Sequence, residues 1–334
     1  MSAPEDEPFT LPAGLPRAAP GRVRVLSLSG GGYRGLFTAA LIRALEARLG
    51  PDPARPTPFG QRFDLIAGTS IGGILATALS CRATGAALQA LLQRRGSSIF
   101  PPMRLRGLRK LLGRAPYDPQ RLRSAICELL PDAEQQLLGQ HAPALLLTTV
   151  NWTTSKLQLL GSRPTLGQRD QLGLTLMDAM LATSAAPAHF PVHSFQHHRF
   201  VDGGLAANAP DLHALQCAQQ MYPGAEVHML SIGTANPLHG RDPSAVPGRG
   251  LMWAGPVIEL VTSAQEMLAV QECAARMGTH RYLRLNMPPS SAQQKQLDFD
   301  VADQTSTDLL LSLADDCLAS LQPADWHRLK AIVG

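Results

Sequence analysis

The sequence predicts an α/β fold of three layers (α/β/α), in which helices cover both faces of a mostly parallel central sheet. Apolar runs typical of strands alternate with helical segments through the first half of the chain, the pattern of parallel strands joined by crossover helices. The chain has 334 residues, and 45% of them are hydrophobic, which is enough for one substantial core. Because we find no internal repeat and no clear linker, we expect a single domain over residues 21–334 that ends in a helical portion.

Each element is predicted from an apolar run and from the residues that end it. Gly50 and Pro51 end the first helix, for instance, because proline cannot continue a helix. Strands are predicted at 23–28, 63–67, 144–150, 227–232 and 280–285. Helices are predicted at 36–49, 71–83, 85–95, 118–130, 175–183, 211–221, 257–277 and 306–319.

Composition excludes several classes of protein. Residues 1–20 contain three acids and five prolines without an apolar stretch, so they are expected to form a flexible N-terminal arm and not a signal peptide. No run reaches the ~18 apolar residues of a membrane-spanning helix. The five cysteines are widely spaced and lack a C-x-x-C pair, which predicts reduced thiols and a cytoplasmic location.

A serine lies between two glycines in Gly68-Thr69-Ser70-Ile71-Gly72, after a predicted strand and before a predicted helix. Gly68 and Gly72 lack the Cβ atoms that would clash where the chain reverses, so the turn can hold an exposed nucleophile. The N-terminus of the following helix favours negative charge. The pattern predicts a nucleophile elbow with Ser70 at its tip, although G-x-S-x-G also occurs in ordinary glycine-rich turns.

Three consecutive glycines, Gly30, Gly31 and Gly32, follow the first predicted strand and precede Arg34 and the first helix. Bare backbone N–H groups at the start of a helix bind anions. Beside Ser70 they would hold the oxyanion of a tetrahedral intermediate, with each donor contributing ~3 kcal/mol.

The same glycines offer a second interpretation, because Gly30, Gly32 and Gly35 match the dinucleotide fingerprint G-x-G-x-x-G. That fingerprint also needs an acidic residue at the end of a second strand. Here the corresponding acid, Asp52, lies among three prolines in residues 51–56, and prolines exclude a central strand. The sequence therefore favours the oxyanion interpretation, and no cofactor is expected.

A carboxylate precedes two glycines in Asp202-Gly203-Gly204, downstream of Ser184-Ala185-Ala186-Pro187. We expect Asp202 to lie in a loop that approaches another backbone closely. Taken alone, this motif is explained equally well by an Asx-type turn.

Together the motifs resemble the patatin-like phospholipase family over about residues 23–235. The resemblance is carried by Gly30-Gly31-Gly32-Tyr33-Arg34-Gly35, the serine elbow, Ser184-Ala185-Ala186-Pro187, Asp202-Gly203-Gly204 and a late strand that ends in Gly233-Thr234. It implies a patatin-like fold in which Ser70 is the nucleophile and Asp202 its base, as a Ser–Asp dyad without histidine or metal. The backbone of Gly30, Gly31 and Gly32 would form the oxyanion hole, with Arg34 beside it.

The loop from Leu28 to Leu36, in a compact chain, also looks like that of the cyclic-dinucleotide-activated phospholipases of bacterial anti-phage defence. This resemblance implies phospholipase A-type cleavage of membrane phospholipids, peripheral contact with the inner membrane, a cyclic-dinucleotide activator and a homo-oligomer. Two alternatives stay open. One is a conventional Ser-Asp-His esterase that uses a histidine after Asp202, and the other is a non-catalytic lipid-binding protein. Nucleic-acid binding is not expected, because no recognition motif is present.

The segment 94–123 is strongly basic, although the net charge of the chain is only +4. Its cations are Arg94, Arg95, Arg104, Arg106, Arg109, Lys110, Arg114, Arg121 and Arg123. Apolar residues lie between them, a composition that suits an anionic bilayer surface. A solvated helix face and a pocket for an anionic nucleotide remain as other interpretations.

Four histidines lie close together in the sequence, at His189, His193, His197 and His198. Prolines between and before them prevent a single helical face, and no cysteine or run of acids accompanies them. We therefore expect ordinary surface and loop histidines and no metal site.

Overall fold

The computed structural model describes residues 21–50, 58–102, 117–140, 143–163, 173–236, 254–294 and 296–334. The N-terminal arm predicted over residues 1–20 lies outside the described residues, as do Asp52 and the part of the basic segment at 103–116.

Eight strands form one sheet in the described part of the chain. They are β1 (Arg22–Leu28), β2 (Leu65–Thr69), β3 (Ala144–Asn151), β4 (Lys156–Gly161), β5 (His193–Phe195), β6 (His198–Asp202), β7 (Glu226–Ile232) and β8 (Tyr282–Leu285). Their order across the sheet is β5-β6-β3-β2-β1-β7-β8, and β4 pairs with β3.

The central strands pair in parallel, as predicted. These pairs join β3 to β2, β2 to β1, β1 to β7 and β7 to β8. The five strands expected from the sequence are all present, with ends shifted by a few residues. The antiparallel part of the sheet, formed by β4, β5 and β6, was not predicted.

Helices cover the sheet between the strands. They are α1 (Gly35–Leu49), α2 (Ile71–Ser80), α3 (Gly85–Ile99), α4 (Pro119–Leu129), α5 (Leu176–Thr183), α6 (Gly204–Ala207), α7 (Asp211–Met221), α8 (Ala254–Met277), α9 (Ser291–Gln294), α10 (Gln304–Ala319) and α11 (Pro323–Val333). Short polar side chains begin several of them. Thr84, Asp118, Thr175 and Asp303 each accept a hydrogen bond from a backbone N–H of the first turn.

Successive residues of β1 alternate between two apolar cores. Leu26 and Leu28 belong to the larger core, whereas Val23 and Val25 belong to a second core on the other face. All four side chains are fully buried, so the strand is covered on both faces, as a three-layer α/β/α fold requires. Among the described residues, no helix combines the length and the apolarity needed to cross a membrane.

One edge of β3 is shared by two strands that are far apart in sequence. β4 occupies the other edge of β3 over Leu146–Asn151. On the shared edge, Thr69 at the end of β2 pairs with Thr148, and Asp202 at the end of β6 pairs with the next residue, Thr149. The ends of β2 and β6 therefore meet at adjacent positions along one strand, although they run in opposite directions.

Candidate active site

Ser70 lies at the turn between β2 and α2, as the elbow motif predicts. Its φ is 54°, a left-handed conformation that is uncommon for residues other than glycine. A Cβ on Gly68 would collide with the carbonyl oxygen of Gly72, and one on Gly72 would collide with that of Leu28. The turn therefore needs both glycines, and the strained backbone holds Ser70 between the end of β2 and the start of α2.

The side chain of Asp202 lies next to Ser70. Ser70 Oγ donates a hydrogen bond of 2.6 Å to Asp202 Oδ2, and the backbone N–H of Gly204 donates one of 2.7 Å to Oδ1. Asp202 is the last residue of β6 and not part of a loop, so that detail of the sequence prediction was wrong. Its pairing beside β2 along β3 brings the carboxylate to the serine.

Burial changes the acidity of this carboxyl group. Asp202 is 5% exposed, and loss of solvent raises the pKa of its side chain from 3.8 to about 6, against smaller lowering effects from Ser70 and the Gly204 amide. A carboxylate with a pKa near neutrality is a better proton acceptor than an ordinary aspartate, yet it is still mostly ionised at pH 7.

The glycine loop lies over the serine. A Cβ on Gly30 would come within 3.2 Å of Ser70 Cβ. The N–H of Gly30, however, donates to the carbonyl of Asn208 at 3.0 Å and is not free for another acceptor. Within the described residues, the amides of Gly31 and Gly32 donate to no protein acceptor. Of the three backbone amides predicted to form the oxyanion hole, those of Gly31 and Gly32 therefore remain as candidate donors.

Arg34 follows the glycine loop and is buried, with 9% exposure. Its Nε donates to the carbonyl of Gly31 at 3.4 Å. Burial lowers the pKa of this guanidinium, while the nearby carboxylates of Glu259 and Glu266 raise it. Since arginine stays protonated in proteins, the loop has a fixed positive charge behind it.

A buried polar network supports the glycine loop from the side of α8, and sequence reasoning missed it. Glu266, on α8, is 1% exposed and forms an ion pair with Arg284 of β8. Its second oxygen accepts a hydrogen bond of 2.6 Å from Asn208 Nδ2, and Arg284 also donates to Ser29 Oγ at 3.0 Å. Because Ser29 precedes Gly30 and the carbonyl of Asn208 accepts the Gly30 N–H, the network fixes the position of the glycine loop. No local pattern links these residues in the sequence, so only the fold brings them together.

Gln265, the residue before Glu266 on α8, supports the segment that carries Asp202. Gln265 Nε2 donates to the carbonyl of Gly204, and its Oε1 accepts the N–H of Asn208 at 3.1 Å. Gly204 in turn donates to Asp202. One turn of α8 therefore touches both the segment that orients the acid and the segment that holds the glycine loop.

Histidine takes no part in the described Ser70 and Asp202 contacts. Of the histidines after Asp202, His228 bonds to Glu226 and His213 lies on α7, while His239 is outside the described residues. The earlier histidines do not converge either. His189 contacts Asp300, His193 contacts Asp178 and His198 contacts Asn151. The described residues contain no group of three or more potential metal ligands.

The serine is almost covered in this structure. Ser70 is 5% exposed, and its partner Asp202 is equally buried. A cleft of about 640 Å³ between α7 and α8 is lined by other residues, among them His213, Gln219 and Arg276. The cleft and the serine site are therefore separate features of the molecule.

A serine elbow, a buried acid and a glycine loop lie together at one end of a mostly parallel α/β sheet, an arrangement typical of serine acyl hydrolases. The family model for patatin-like phospholipase matches residues 26–215, and the chain belongs to this family of carboxylic ester hydrolases.

Individual relatives match this chain over most of its length. The chain is 34% identical over 284 residues to a cGAMP-activated phospholipase of Pseudomonas aeruginosa, covering 82% of each protein. It is 32% identical over 333 residues to a cGAMP-activated phospholipase of Escherichia coli, covering 92% of each. Among solved structures, human GIVD cytosolic phospholipase A2 matches with a TM-score of 0.45 at 13% identity, over 93% of this chain and 59% of that one.

Proposed function

We propose that this phospholipase cleaves acyl esters of membrane phospholipids through a Ser70–Asp202 dyad and an acyl-enzyme. The observation that carries the proposal is the hydrogen bond of 2.6 Å between Ser70 Oγ and Asp202 Oδ2. A serine hydroxyl needs an adjacent base to become a nucleophile, and this hydrogen bond supports that role for the carboxylate.

In the first half-reaction, Asp202 Oδ2 accepts the proton of Ser70 as Oγ attacks the acyl carbonyl carbon. The negative charge that forms on the carbonyl oxygen is stabilised by the N–H groups of Gly31 and Gly32 and by the N-terminus of α2. Collapse of this intermediate breaks the ester bond. The leaving alcohol of the lysophospholipid takes the proton from Asp202, and the acyl group remains on Ser70.

In the second half-reaction, Asp202 takes a proton from water, and the resulting hydroxide attacks the acyl carbonyl. The same amides hold the second oxyanion. When the acyl–oxygen bond breaks, Ser70 Oγ recovers the proton and the fatty acid leaves. Arg34 contributes positive charge behind the oxyanion donors, because its Nε is bonded to the carbonyl of Gly31.

Regulation by a cyclic dinucleotide is part of the proposal. Relatives that match most of the chain are named cGAMP-activated phospholipases. The covered position of Ser70 fits a resting state that must open before a lipid ester can reach it. We propose that the active protein is a cytoplasmic homo-oligomer that contacts the inner membrane peripherally.

The test is release of fatty acid from phospholipid vesicles, with and without cGAMP, by the wild type and by Ser70→Ala and Asp202→Asn. Both variants should lose at least about a thousandfold in kcat, and Ser194→Ala, at an exposed serine of β5, should keep wild-type activity. Circular dichroism spectra like that of the wild type should show that each variant is folded.

The alternatives give different outcomes in the same assay. If Asp202→Asn keeps most of the activity, the dyad fails and a histidine must act as the base. If neither hydrolysis nor labelling of Ser70 by a fluorophosphonate is seen under any condition, the protein binds lipid without cleaving it.

A further inference from the structure

A cleft of about 640 Å³ lies between α7 and the end of α8, on the part of the sheet where β7 begins. Its floor is apolar, with Leu215, Val227 and Met277. Its rim carries Arg276 and Arg281. A concave site with an apolar floor and a few polar groups is the usual form of a small-molecule site, and nothing in the proposed hydrolysis uses this one.

The two arginines give the cleft affinity for anions. Arg276 is exposed and forms an ion pair with Glu272 on its own helix. Arg281 lies 3.8 Å from the half-exposed carboxylate of Glu226. Exposed ion pairs of this kind contribute little free energy, so either guanidinium can exchange its carboxylate for a phosphate, which it binds through two parallel hydrogen bonds. Arg281 Nε also donates to the carbonyl of Met277 at 2.8 Å, so this arginine would bind the phosphate through its two terminal nitrogens.

The remaining polar residues suit the edges of nucleobases. Gln216 and Gln219 are exposed on the same side of α7, three positions apart, and each offers an amide donor and acceptor. Burial lowers the pKa of His213, so its imidazole is neutral at pH 7 and can also both donate and accept. Flat bases would lie against the apolar floor, with their edges towards these side chains.

A single helix joins this cleft to the serine site. Met277, the last residue of α8, lines the cleft together with Arg276. Gln265 and Glu266 hold the Asp202 and Gly30 segments about 16 Å away along the same helix, at 1.5 Å per residue. The other wall, α7, begins at Asp211, three residues after Asn208. A ligand that moves α7 and α8 relative to each other therefore acts directly on both supports of the active site.

We propose that the α7–α8 cleft is the binding site of a cyclic dinucleotide, with its two phosphodiesters on Arg276 and Arg281 and its bases against Gln216, Gln219 and the apolar floor. This inference rests on the proposed function and names where its regulation resides. The proposal places the nucleotide away from the basic segment 94–123. Of the cations of that segment that the structure describes, Arg94 and Arg95 pair with Glu128, Arg123 pairs with Glu134, and Arg121 donates to the carbonyl of Ser98.

Binding of cGAMP to the full chain, measured by isothermal titration calorimetry, tests the site directly. In the double variant Arg276→Ala/Arg281→Ala, Kd should rise by at least about a hundredfold, as expected for loss of two charged hydrogen-bonding groups. Gln216→Glu changes little in size and adds a negative charge to the rim, so it should raise Kd about tenfold. Arg94→Ala removes an exposed, ion-paired arginine elsewhere and should leave Kd unchanged.

Measuring hydrolysis in the same variants distinguishes a failure of the proposed cGAMP site from a failure of the proposed catalytic mechanism. The cGAMP concentration for half-maximal fatty-acid release should rise by the same factors as Kd. If the double variant and Gln216→Glu bind cGAMP like the wild type, or if Arg94→Ala alone loses binding, the cleft is not the site.

The wild type separates the two proposals. If it hydrolyses vesicles but binds no cGAMP, the cleft proposal is overturned and the proposed hydrolysis stands. If cGAMP binding depends on the cleft but no lipid is cut, the site stands and the proposed hydrolysis fails.

Discussion

At the scale of single residues, Asp202 is the proposed catalytic base, and the burial of its carboxylate costs stability. Its carboxyl group is buried, bonded to Ser70 and Gly204, and has its pKa raised to about 6. The serine and the acid were both predicted from short glycine motifs, because the backbone at such turns tolerates few other residues. The environment of the acid was not predictable, since it depends on which helices cover it.

The raised pKa predicts the acid side of the pH–activity profile. In the proposed mechanism only the ionised form of Asp202 accepts the Ser70 proton, so kcat/KM should be half-maximal near pH 6 and fall about tenfold for each unit below it. The measurement uses a soluble short-chain ester, which avoids effects of pH on a lipid surface. A midpoint near 3.8, the ordinary value for aspartate, would mean that the acid is solvated in the active form.

The raised pKa of Asp202 also predicts that the folded protein becomes more stable when a substitution removes the charge of this carboxylate. Between the unfolded pKa of 3.8 and the folded pKa of about 6, the native state binds more protons than the unfolded state, so Asp202 lowers stability as pH rises through this window. Asp202→Asn should therefore be more stable than the wild type at pH 8, by up to about 3 kcal/mol.

Urea unfolding at several pH values measures that difference. The gain should shrink as the pH falls through the window and be absent near pH 3, where both states of the wild type are protonated. The variant Asp211→Asn is not a suitable comparison because Asp211 accepts three hydrogen bonds. Asp308→Asn, at an exposed position of α10, is suitable and should change little at any pH.

At the scale of elements, the site depends on packing between segments distant in sequence. The strands of the parallel centre were predicted, because buried parallel strands are continuous apolar runs. The strands β4, β5 and β6 were not, since they are half-exposed, contain polar residues and histidines, and are defined by their pairing on β3. Because β6 was not predicted, Asp202 was expected to lie in a loop.

The tight turn between β2 and α2 predicts that one added methyl group, at Gly72, strongly destabilises the protein. Gly72→Ala would drive a Cβ into the carbonyl oxygens of Leu28 and Ser29 at the end of β1, so we expect a loss of more than about 3 kcal/mol in the free energy of unfolding and no hydrolysis. A Cβ on Gly139 has open space around it. Gly139→Ala should change stability by less than about 0.5 kcal/mol and keep full activity, as thermal unfolding and the vesicle assay can verify.

The contacts of helix α8 predict that a residue outside the proposed dyad affects activity. Gln265→Ala removes the hydrogen bonds to Gly204 and Asn208, so kcat should fall about tenfold with little change in KM. Leu268, on the same helix, is 57% exposed, and Leu268→Ala should leave kcat unchanged. Equal activity of the two variants would exclude a positioning role for Gln265.

At the scale of the whole molecule, the covered serine predicts that activation is visible without a lipid. Ser70 is 5% exposed, so a fluorophosphonate should react slowly with the resting protein. Under the proposed regulation, addition of cGAMP should make the reaction at least about tenfold faster. The rate of labelling, followed by intact-protein mass spectrometry, gives the result. Fast labelling without cGAMP, unchanged by its addition, would contradict a closed resting state.

The shared edge of β3 also has a consequence for how the cell makes this protein. The ribosome completes Ser70 long before Asp202, and the two meet only when β6 has folded beside β2 on β3. A nascent chain that ends before residue 202 therefore has Ser70 without Asp202. Under the proposed dyad, such an incomplete copy lacks the base that activates its serine, so it should not hydrolyse lipid before its synthesis is complete.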